Sequence, residues 1–584
     1  MLTTALLLAV LCWAPDEPAH HVDHGELTQR LAQLVGSHPQ IAQLLTLGYS
    51  QGQRSISALV LGRSDINLEE AIGVLLVGGL DGRRLSDASV LLGVAERLLE
   101  DEAELADALG DRVIVLVPRV SPDGGEVLLG SDGPSQAQRG NGRQDDADKD
   151  GRTDEDGPED LDGDGMVAWM RIPDPEGEWV IDEHDPRSLR KARRDRGERP
   201  THRVQREGRD LDGDGKINED DLSGVEVDRN FPHRWLEHDS RSGAYPFSEP
   251  ESSALGEFLL EHPGIVAVID VGSQDTLVTL PKKDEKPQRG GWRSGFSAPL
   301  KGLLTKDHET LKELQRRLKG VSEEKVHEAK ADGLADGSFL SWAYFHGGRW
   351  PIAVTPWEVP QDLPKGKEAE EEEAEEKNDA ESPPQGDAVE DEKAEEAKPT
   401  SDPDSPVPAA VLSWLDKERD GEGFVPWSSF DHPDLGEVEI GGFVPGLLVN
   451  PSYEVTDGLA EILTPFVSEL LEMLPVVRFE DVAVERLGPD LHAISVAVVN
   501  PSPLPTASSL GAEARIQRPL RLRLDLPENA VRLHGSTQEL IGRLEGAGGR
   551  HEVRWVVSAP SGTVVSLLLD AETVPDLVEE VTLP

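Results

Sequence analysis

The sequence predicts an α/β domain, with a mixed sheet and helices on both faces, followed by an all-β immunoglobulin-like sandwich. Short, continuously apolar runs indicate fully buried strands, at residues 73–78, 113–117 and 265–271. Apolar residues at helical spacing, as in residues 27–35, alternate with these strands, which favours a sheet covered on both faces. From Val476 onward the pattern changes to a period of two.

The C-terminal part alternates apolar and charged side chains. Leu520–Leu526 places a leucine at every second position, and residues 494–498 repeat the pattern with Ile and Val. Such strands, separated by proline-rich turns, are typical of an immunoglobulin-like module. We therefore predict a β-sandwich accessory domain at 476–584, after a larger domain at 22–475.

The composition excludes some function classes. The 584 residues contain 58 Lys and Arg against 112 Asp and Glu, so the formal net charge is -54. A surface this acidic repels phosphates, which argues against nucleic-acid binding. The apolar run Leu2–Ala14 is too short to span a bilayer and is typical of a signal peptide at residues 1–14. We expect export to the periplasm, the extracellular space or the cell surface.

Two features of the mature chain follow from residue usage. Cys12, inside the predicted signal peptide, is the only cysteine, so the mature chain would hold no disulfide or thiolate metal site. Residues 361–406 are Glu-rich and punctuated by proline, with almost nothing apolar to bury. We predict that this stretch is a disordered acidic insertion.

A calcium-type loop is predicted at residues 210–221. Oxygen side chains occupy loop positions one, three, five, nine and twelve, namely Asp210, Asp212, Asp214, Asn218 and Asp221. This spacing, with Gly215 at the sharp turn, resembles the loops of EF-hands and dockerins. A similar acidic segment at 146–165 lacks a clean twelfth ligand. Either segment has the alternative interpretation of a solvated acidic turn.

Ordered motifs carry a resemblance to a known family. They are Ser121–Gly124, Val227–Phe231, Tyr245–Glu251 and Thr355–Glu358, with Trp342–Tyr344 before the last. In this order they resemble the zinc carboxypeptidases of the carboxypeptidase A type. The resemblance covers most of the chain, to near Pro475, and leaves out the acidic insertion and the β-rich end.

The resemblance implies three zinc-ligand positions that this sequence does not keep. Asp81 stands where the family has a first His, Arg84 where it has Glu, and Gly272 where it has a second His. An arginine has donors only and repels a dication. Zinc is therefore expected of the family but not of this chain. We expect Asp81 and Gly272 at the carboxyl ends of neighbouring strands, with Arg84 meeting Asp81 or Glu358.

Other positions match the family's site. The resemblance implies that Glu358 is the general base, that Tyr344 closes over the substrate and that Arg229 pairs with the substrate's C-terminal carboxylate. Asp228 replaces an Asn beside that arginine and weakens the clamp. The family's transition-state arginine corresponds to Arg143 or Arg139, because the glycine-rich stretch leaves the register open.

Three functions remain open on sequence alone. The first is a non-catalytic domain that binds peptides or acts as a scaffold, with bound calcium. The second is an active metallocarboxypeptidase with a rearranged metal site, built from Asp81 and a histidine such as His346. The third is a calcium-dependent surface or adhesion module. Metal analysis separates the second function from the others, and peptide binding separates the first from the third.

Overall fold

A computed structural model describes residues 21–131, 133–144, 153, 156–211, 213, 215–218, 222–284, 299–322, 334–357, 359 and 407–584. The predicted signal peptide at 1–14 and the predicted insertion at 361–406 lie outside the described residues. No helix in the described ranges is long and apolar enough to cross a membrane.

Helices and strands alternate through the first part of the chain, and strands dominate the last part. The helices are α1 His24–Ser37, α2 Leu85–Leu99, α3 Glu102–Leu109, α4 Pro122–Leu128, α5 Pro250–Glu261, α6 Thr305–Ser322, α7 Phe339–Phe345, α8 Ala409–Glu418, α9 Tyr453–Met473 and α10 Ser509–Glu513. The strands of the first part are β1 Ala42–Tyr49, β2 Ser55–Leu61, β3 Ile72–Gly78, β4 Arg112–Val117, β5 Trp169–Pro173, β6 Trp179–Ile181, β7 Leu189–Lys191, β8 His202–Arg206, β9 Ile265–Val271, β10 Lys283–Asp284, β11 Leu303–Leu304 and β12 Trp350–Val354. They continue as β13 Phe424–His432, β14 Gly436–Phe443, β15 Arg478–Gly488, β16 Leu491–Asn500, β17 Leu520–Asp525, β18 Val531–His534, β19 Gln538–Ile541, β20 Gly549–Ser558, β21 Val564–Asp570 and β22 Leu577–Thr582.

A six-stranded mixed sheet forms the centre of the first domain, in the order β1-β2-β4-β3-β9-β12. The strands β4, β3, β9 and β12 run parallel, while β1 and β2 add an antiparallel edge. Val74 and Leu76 of β3 pack on one face, with α1, α2, α6 and α9, and Leu75 and Val77 pack on the other, with α5 and α7. Burial on both faces explains why the central strands are apolar throughout.

The C-terminal part consists of two four-stranded antiparallel sheets, β15-β16-β20-β18 and β19-β17-β21-β22. Leu520, Leu522 and Leu524 of β17 are buried between them, whereas the arginines in between are exposed. The fold-class prediction is therefore confirmed for both parts of the chain. The sandwich docks on the first domain through Asp307, which accepts hydrogen bonds from the backbone N–H groups of Ser509 and Leu510 at 2.6 and 3.1 Å.

A second six-stranded sheet, in the order β13-β14-β5-β8-β6-β7, lies outside the sequence prediction. Its strands come from two separate segments, 169–206 and 424–443, which pair through β5 and β14. The strands β6 and β7 have three residues each. That is too few to show the alternation of apolar and polar residues by which a strand is recognised from sequence.

Candidate functional site

A cleft of about 710 Å³ lies at the carboxyl ends of β3 and β9. These strands are parallel neighbours, with Gly78 opposite Val271. Asp81 follows the end of β3 and lines the cleft, while Gly272 directly follows β9. The expected placement of Asp81 and Gly272 at neighbouring strand ends is confirmed, as is the presence of a pocket there. Ligands of open α/β sheets bind at such ends.

The Asp81 carboxylate is already bound by the neighbouring Arg83. It accepts hydrogen bonds from the Arg83 backbone N–H at 3.0 Å, from Nε at 3.2 Å and from Nη2 at 3.0 Å. Burial alone would raise the pKa of Asp81, but the charge and hydrogen bonds of Arg83, with the charge of Arg139, outweigh it and lower the pKa. Asp81 therefore stays ionised and paired.

Arg84 is buried and points away from Asp81. Its Nε donates to Asp87 Oδ1 at 3.3 Å and its Nη2 donates to the Trp357 carbonyl at 3.2 Å. The expectation that Arg84 meets Asp81 is therefore wrong, because Arg83 takes that carboxylate and Asp87 lies one helical turn from Arg84 at the start of α2. Glu358, the other expected partner, lies outside the described residues.

A group of buried carboxyls lies beneath the cleft. Burial raises the pKa of Asp87 to about 7, against the lowering effect of Arg84, and raises that of Asp228 to about 7. Burial and the nearby charges of Asp228 and Asp87 raise the pKa of Asp270 well above its usual range. Asp270 Oδ1 has no hydrogen-bond partner among the described residues. The positive charge of Arg84 lowers the pKa of Asp87 and of Asp270, and so partly offsets these increases.

The arginines of the cleft differ in how far they are already paired. Arg229 is held by Glu226 at 3.0 Å and by Asp239 at 2.5 Å. Arg139 approaches Glu226 only to 4.0 Å, and its Nε has no acceptor in the described structure. Arg139 lines the cleft and Arg143 does not, because Arg143 donates to the buried Glu249 at 2.6 Å. The substrate-binding role assigned to Arg143 does not fit this position.

Comparison with known proteins identifies the first domain. A sequence profile described as "Zinc carboxypeptidase" matches residues 27–162 and 183–362, more than half of the chain. The chain belongs to the zinc carboxypeptidase family. A second profile, described as a domain of unknown function (DUF8731), matches residues 476–582. No curated protein matches the chain.

Solved carboxypeptidase structures resemble the chain distantly. Bovine thrombin-activatable fibrinolysis inhibitor is 15% identical, over 58% of this chain and 86% of that one, with a TM-score of 0.32. Carboxypeptidase A from Helicoverpa armigera is 15% identical, over 57% and 63%, with a TM-score of 0.33. A metallo-carboxypeptidase from Pseudomonas aeruginosa is 13% identical, over 56% and 59%, with a TM-score of 0.28.

The residues at the family's zinc positions do not fit zinc. Zinc needs three protein ligands in a site that keeps one open position. Here Asp81 is tied to Arg83, Arg84 is a cation bound to Asp87, and Gly272 has no side chain. Among the described residues, no group of three carboxylates or histidines converges in the cleft.

Tyr344, expected to close over a substrate, lies in the hydrophobic core instead. It has no exposed surface, its hydroxyl donates to Asp307 Oδ2 at 2.9 Å, and that hydroxyl accepts from the Leu304 N–H at 3.2 Å. The catalytic assignment of Tyr344 is therefore wrong. The residue lies in α7, whose side chains from Phe339 to Tyr344 are all buried, and it packs in the core on the face of the sheet that carries α2 and α6.

The histidine considered for a rearranged metal site is also engaged elsewhere. The Nε2 of His346 lies 3.3 Å from the Nδ1 of His233, and the His233 ring stacks on Phe345 at 3.8 Å. Burial lowers the pKa of His233 to about 4. Neither histidine lines the cleft.

Of the described residues in the family motifs, Asp228 and Arg229 line the cleft, and others form hydrogen bonds within and between loops. The Asn230 side chain donates to the Ser242 and Tyr245 carbonyls at 2.8 and 3.0 Å and accepts from the Glu249 N–H at 3.1 Å. Asp123 of the Pro-Asp-Gly turn accepts from Ser50 Oγ, the Gly52 N–H and Arg54. These bonds fix the loops around the cleft whether or not a metal is bound.

A second candidate site lies in the calcium-type segments. Asp160, Asp162 and Glu207 bring one carboxylate oxygen each within 4.8 Å of one another. Of the loop at 210–221, Asp212, Asp214 and Asp221 lie outside the described residues, while Asp210 accepts from the Gly213 and Gly215 N–H groups at 2.6 and 2.9 Å. Asn218 is half-buried, its Nδ2 donates to the Arg206 carbonyl at 2.7 Å, and its Oδ1 has no hydrogen-bond partner among the described residues.

Glu207 was missed by the sequence prediction. It lies just after β8 and is fully buried, and it accepts backbone N–H bonds from Asp162 at 3.3 Å, Ala168 at 2.9 Å and Leu161. Burial raises its pKa to about 7, against these hydrogen bonds. The available signal was the hexapeptide Asp-Leu-Asp-Gly-Asp-Gly, which occurs at both 160–165 and 210–215.

Proposed function

We propose that this protein is a non-catalytic zinc carboxypeptidase homologue whose cleft binds peptides or peptide-like ligands. The observation that carries the proposal is Arg84, a buried guanidinium at a zinc-ligand position, held by Asp87 at 3.3 Å. A fixed cation there repels Zn²⁺, and the guanidinium of Arg84 has no lone pair to donate to the metal. An active metallocarboxypeptidase, the alternative from sequence, has no supporting observation among the described residues of the cleft.

The cleft keeps a group suited to a peptide's terminal carboxylate. Arg229 was the expected partner, but Glu226 and Asp239 already bind it, so a ligand would have to displace one of them. Arg139 lines the cleft with 33% of its side chain exposed, and its Nη1 approaches Glu226 only to 4.0 Å. A guanidinium with free donors binds carboxylates through charge-assisted hydrogen bonds. We therefore assign terminal-carboxylate binding to Arg139, with Arg229 and Asp228 as neighbours.

The test combines metal analysis, an activity assay and calorimetry. We expect no stoichiometric zinc in the purified full-length protein and no chelator-sensitive release of C-terminal residues. A peptide with a free C-terminal carboxylate should bind about tenfold more tightly than its C-terminal amide.

Two variants locate this effect. Arg139→Gln should abolish the difference between acid and amide, while Arg316→Gln, an exposed arginine of α6, should preserve it. Stoichiometric zinc with chelator-sensitive activity in the unmodified protein would overturn the proposal. Absence of peptide binding would leave a scaffold role.

We further propose that calcium binds the two Asp-Leu-Asp-Gly-Asp-Gly loops. Asp160 accepts from the Gly163 and Gly165 N–H groups at 2.8 and 2.9 Å, and Asp210 accepts from Gly213 and Gly215 in the same way. Hard cations prefer such clusters of carboxylate oxygens. The third function from sequence, a calcium-dependent surface module, draws its support from these loops.

The two loops are also linked reciprocally. Glu207, which precedes the second loop, accepts from Leu161 in the first, and Asp156, which precedes the first loop, accepts from the Leu211 N–H at 3.1 Å. Each loop therefore contacts a buried carboxylate from the segment that precedes the other loop: Glu207 contacts the first loop and Asp156 contacts the second. This exchange supplies the first loop with the additional carboxylate that the sequence of 146–165 lacks.

Calcium binding is measured by calorimetry and by the melting temperature in calcium and in chelator. We expect calcium to raise the melting temperature, because a ligand that binds the folded state stabilises it by mass action. Asp160→Asn should reduce the increase, and Asp431→Asn, an exposed residue of β13, should not. A melting temperature indifferent to millimolar calcium would contradict the proposal.

Export and the domain boundaries remain proposals from the sequence: a signal peptide at 1–14, a carboxypeptidase-like domain at 22–475 and an accessory domain at 476–584. The junction of the sandwich with α6 and α7 supports a fixed accessory domain, since Ser508 Oγ also donates to the Gly348 carbonyl at 2.8 Å.

A further inference from the structure

The walls of the cleft carry a charge opposite in sign to that of the whole chain. Six cations and four carboxylates line it, whereas the chain has a net charge of -54. Three of the cations are held in ion pairs: Arg83 with Asp81 at 3.0 Å, Arg229 with Glu226 at 3.0 Å and Arg234 with Asp336 at 2.6 Å. Of the remaining three, Arg139 reaches Glu226 only at 4.0 Å, and Lys282 and Lys301 form no ion pair with a described residue.

Lys282 and Lys301 share one wall of the cleft. The short parallel pair of β10 and β11 brings their segments together, and the Leu303 N–H donates to the Lys282 carbonyl at 2.9 Å. Both lysine side chains are exposed, and neither ammonium group has an ion-pair partner in the part of the chain that the structure describes. The nearby Asp284 carboxylate accepts hydrogen bonds from the backbone N–H groups of Lys301 and Gly302, so both ammonium charges stay open to an anionic ligand group.

The neighbouring Lys283 shows the contrast. Its Nζ pairs with Glu309 of α6 at 2.7 Å, and it does not line the cleft. Two adjacent lysines in one strand segment therefore have different surroundings. Lys282 is available to a ligand in the cleft, and Lys283 is neutralised outside it.

We infer that the cleft selects peptides with an acidic side chain, Asp or Glu, at or next to the C-terminus. Lys282 and Lys301 bind that side-chain carboxylate, and Arg139, which also lines the cleft, takes the terminal carboxylate. This inference rests on the proposed peptide-binding function and adds its ligand class. A cleft of about 710 Å³ is within the range of ligand pockets in proteins.

Local charges have to supply this selectivity. The acidic field of the chain repels an acidic peptide at long range, so the peptide gains binding energy only where unpaired cations contact it. The contact between a lysine ammonium and a carboxylate is a hydrogen bond between two charged groups. A Gln side chain has the same shape as Glu but no charge, so it cannot make this contact. Peptides that end in Glu and in Gln therefore differ mainly in this charge-assisted hydrogen bond.

The test is calorimetry of the full-length protein with three peptides that differ only in the last residue, Glu, Gln or Lys. We expect the Glu peptide to bind about tenfold more tightly than the Gln peptide, and the Lys peptide to bind least. The double variant Lys282→Gln/Lys301→Gln should bind Glu and Gln peptides equally, with the Gln affinity unchanged. Both lysines are exposed, so the variant should fold normally.

Lys283→Gln is the matched control, because it removes the same charge one residue away. It should keep the full preference for Glu. Equal binding of Glu and Gln peptides by the unmodified protein would overturn the inference and leave the proposed function standing. If Lys283→Gln also lost the preference for the Glu peptide, the inference would be overturned, because the preference would then come from the net charge of the protein. If none of the three peptides binds, the proposed peptide-binding function fails together with it.

Discussion

Replacing Asp270 by Asn should stabilise the first domain at neutral pH and leave its stability unchanged in acid. Asp270 lies at the end of β9 with 2% of its surface exposed, and its Oδ1 has no hydrogen-bond partner in the described residues. Its pKa is raised well above the usual value by burial and by the nearby Asp228 and Asp87. Asn has the same shape and carries no charge at any pH.

The magnitude follows from proton linkage. A carboxyl whose pKa is higher in the folded than in the unfolded state contributes stability that is full below the unfolded pKa, near 4, and is lost as the pH rises through the folded pKa. Over that window the loss is about 1.4 kcal/mol per pH unit. Wherever the pH lies between the unfolded and the folded pKa, Asp270→Asn should therefore gain stability relative to the unmodified protein as the pH rises.

Urea unfolding followed by circular dichroism at pH 5, 6 and 7 measures this difference. The C-terminal sandwich serves as an internal reference, because its core is separate from that of the first domain. Asp107→Asn, on the exposed face of α3, is the matched control and should leave the pH dependence unchanged. Parallel stability curves for Asp270→Asn and the unmodified protein would refute the reasoning.

Three further outcomes are expected. Deleting 361–406 should leave the melting temperature unchanged, because the segment has too little apolar surface to offset the entropy of ordering it; a large decrease would mean that it packs. Asp307→Asn should cost about 2 kcal/mol and expose the sandwich junction to limited proteolysis, because Asp307 accepts two backbone N–H bonds there, and the exposed Arg316→Gln of the same helix should not. Tyr344→Phe should cost about 1 kcal/mol in urea unfolding and leave peptide binding unchanged, because its hydroxyl bonds only Asp307 and Leu304; loss of peptide binding would restore a role in the cleft.

The fold could be predicted because its signals are local and repeated. The buried strand β3 is apolar at every position, β4 and β9 are apolar except for Arg112 and Asp270, and β17 alternates without a break. The second sheet could not be predicted, because it pairs strands from segments more than 200 residues apart, as β14 pairs with β5. No period within either segment reveals that pairing.

The site was predictable in position but not in its partners. Asp81 and Gly272 follow apolar strands, so their place at the strand ends could be inferred from topology. Sequence does not show which of two adjacent arginines bonds which carboxylate. Arg83 takes Asp81 because its own backbone N–H also bonds that carboxylate, and Arg84 is then left to Asp87. Tyr344 was misassigned because a motif gives chain order and not the direction of a side chain.

The arrangement around Arg84 determines what restoring the family's ligands would do. In Asp81→His/Arg84→Glu/Gly272→His, the change at 84 removes the cation beside Asp87 and Asp270 and adds a carboxylate. Like charges buried without a cation are destabilising. The Cβ of a histidine at 272 would lie 3.0 Å from Asp270 Oδ1, which requires a small shift. Without metal, the triple variant should therefore melt below the unmodified protein.

Zinc should reverse that loss, because a dication between the new ligands replaces the charge of Arg84. At a hundredfold excess over the dissociation constant the expected gain is about 2.7 kcal/mol, measured as a zinc-dependent rise in melting temperature. The double variant Asp81→His/Gly272→His, which keeps Arg84, is the control and should show no such rise, because the guanidinium still occupies the position. A zinc response of equal size in both variants would mean that Arg84 does not exclude the metal, and the explanation for the loss of zinc binding would have to lie in Asp81 and Gly272 alone.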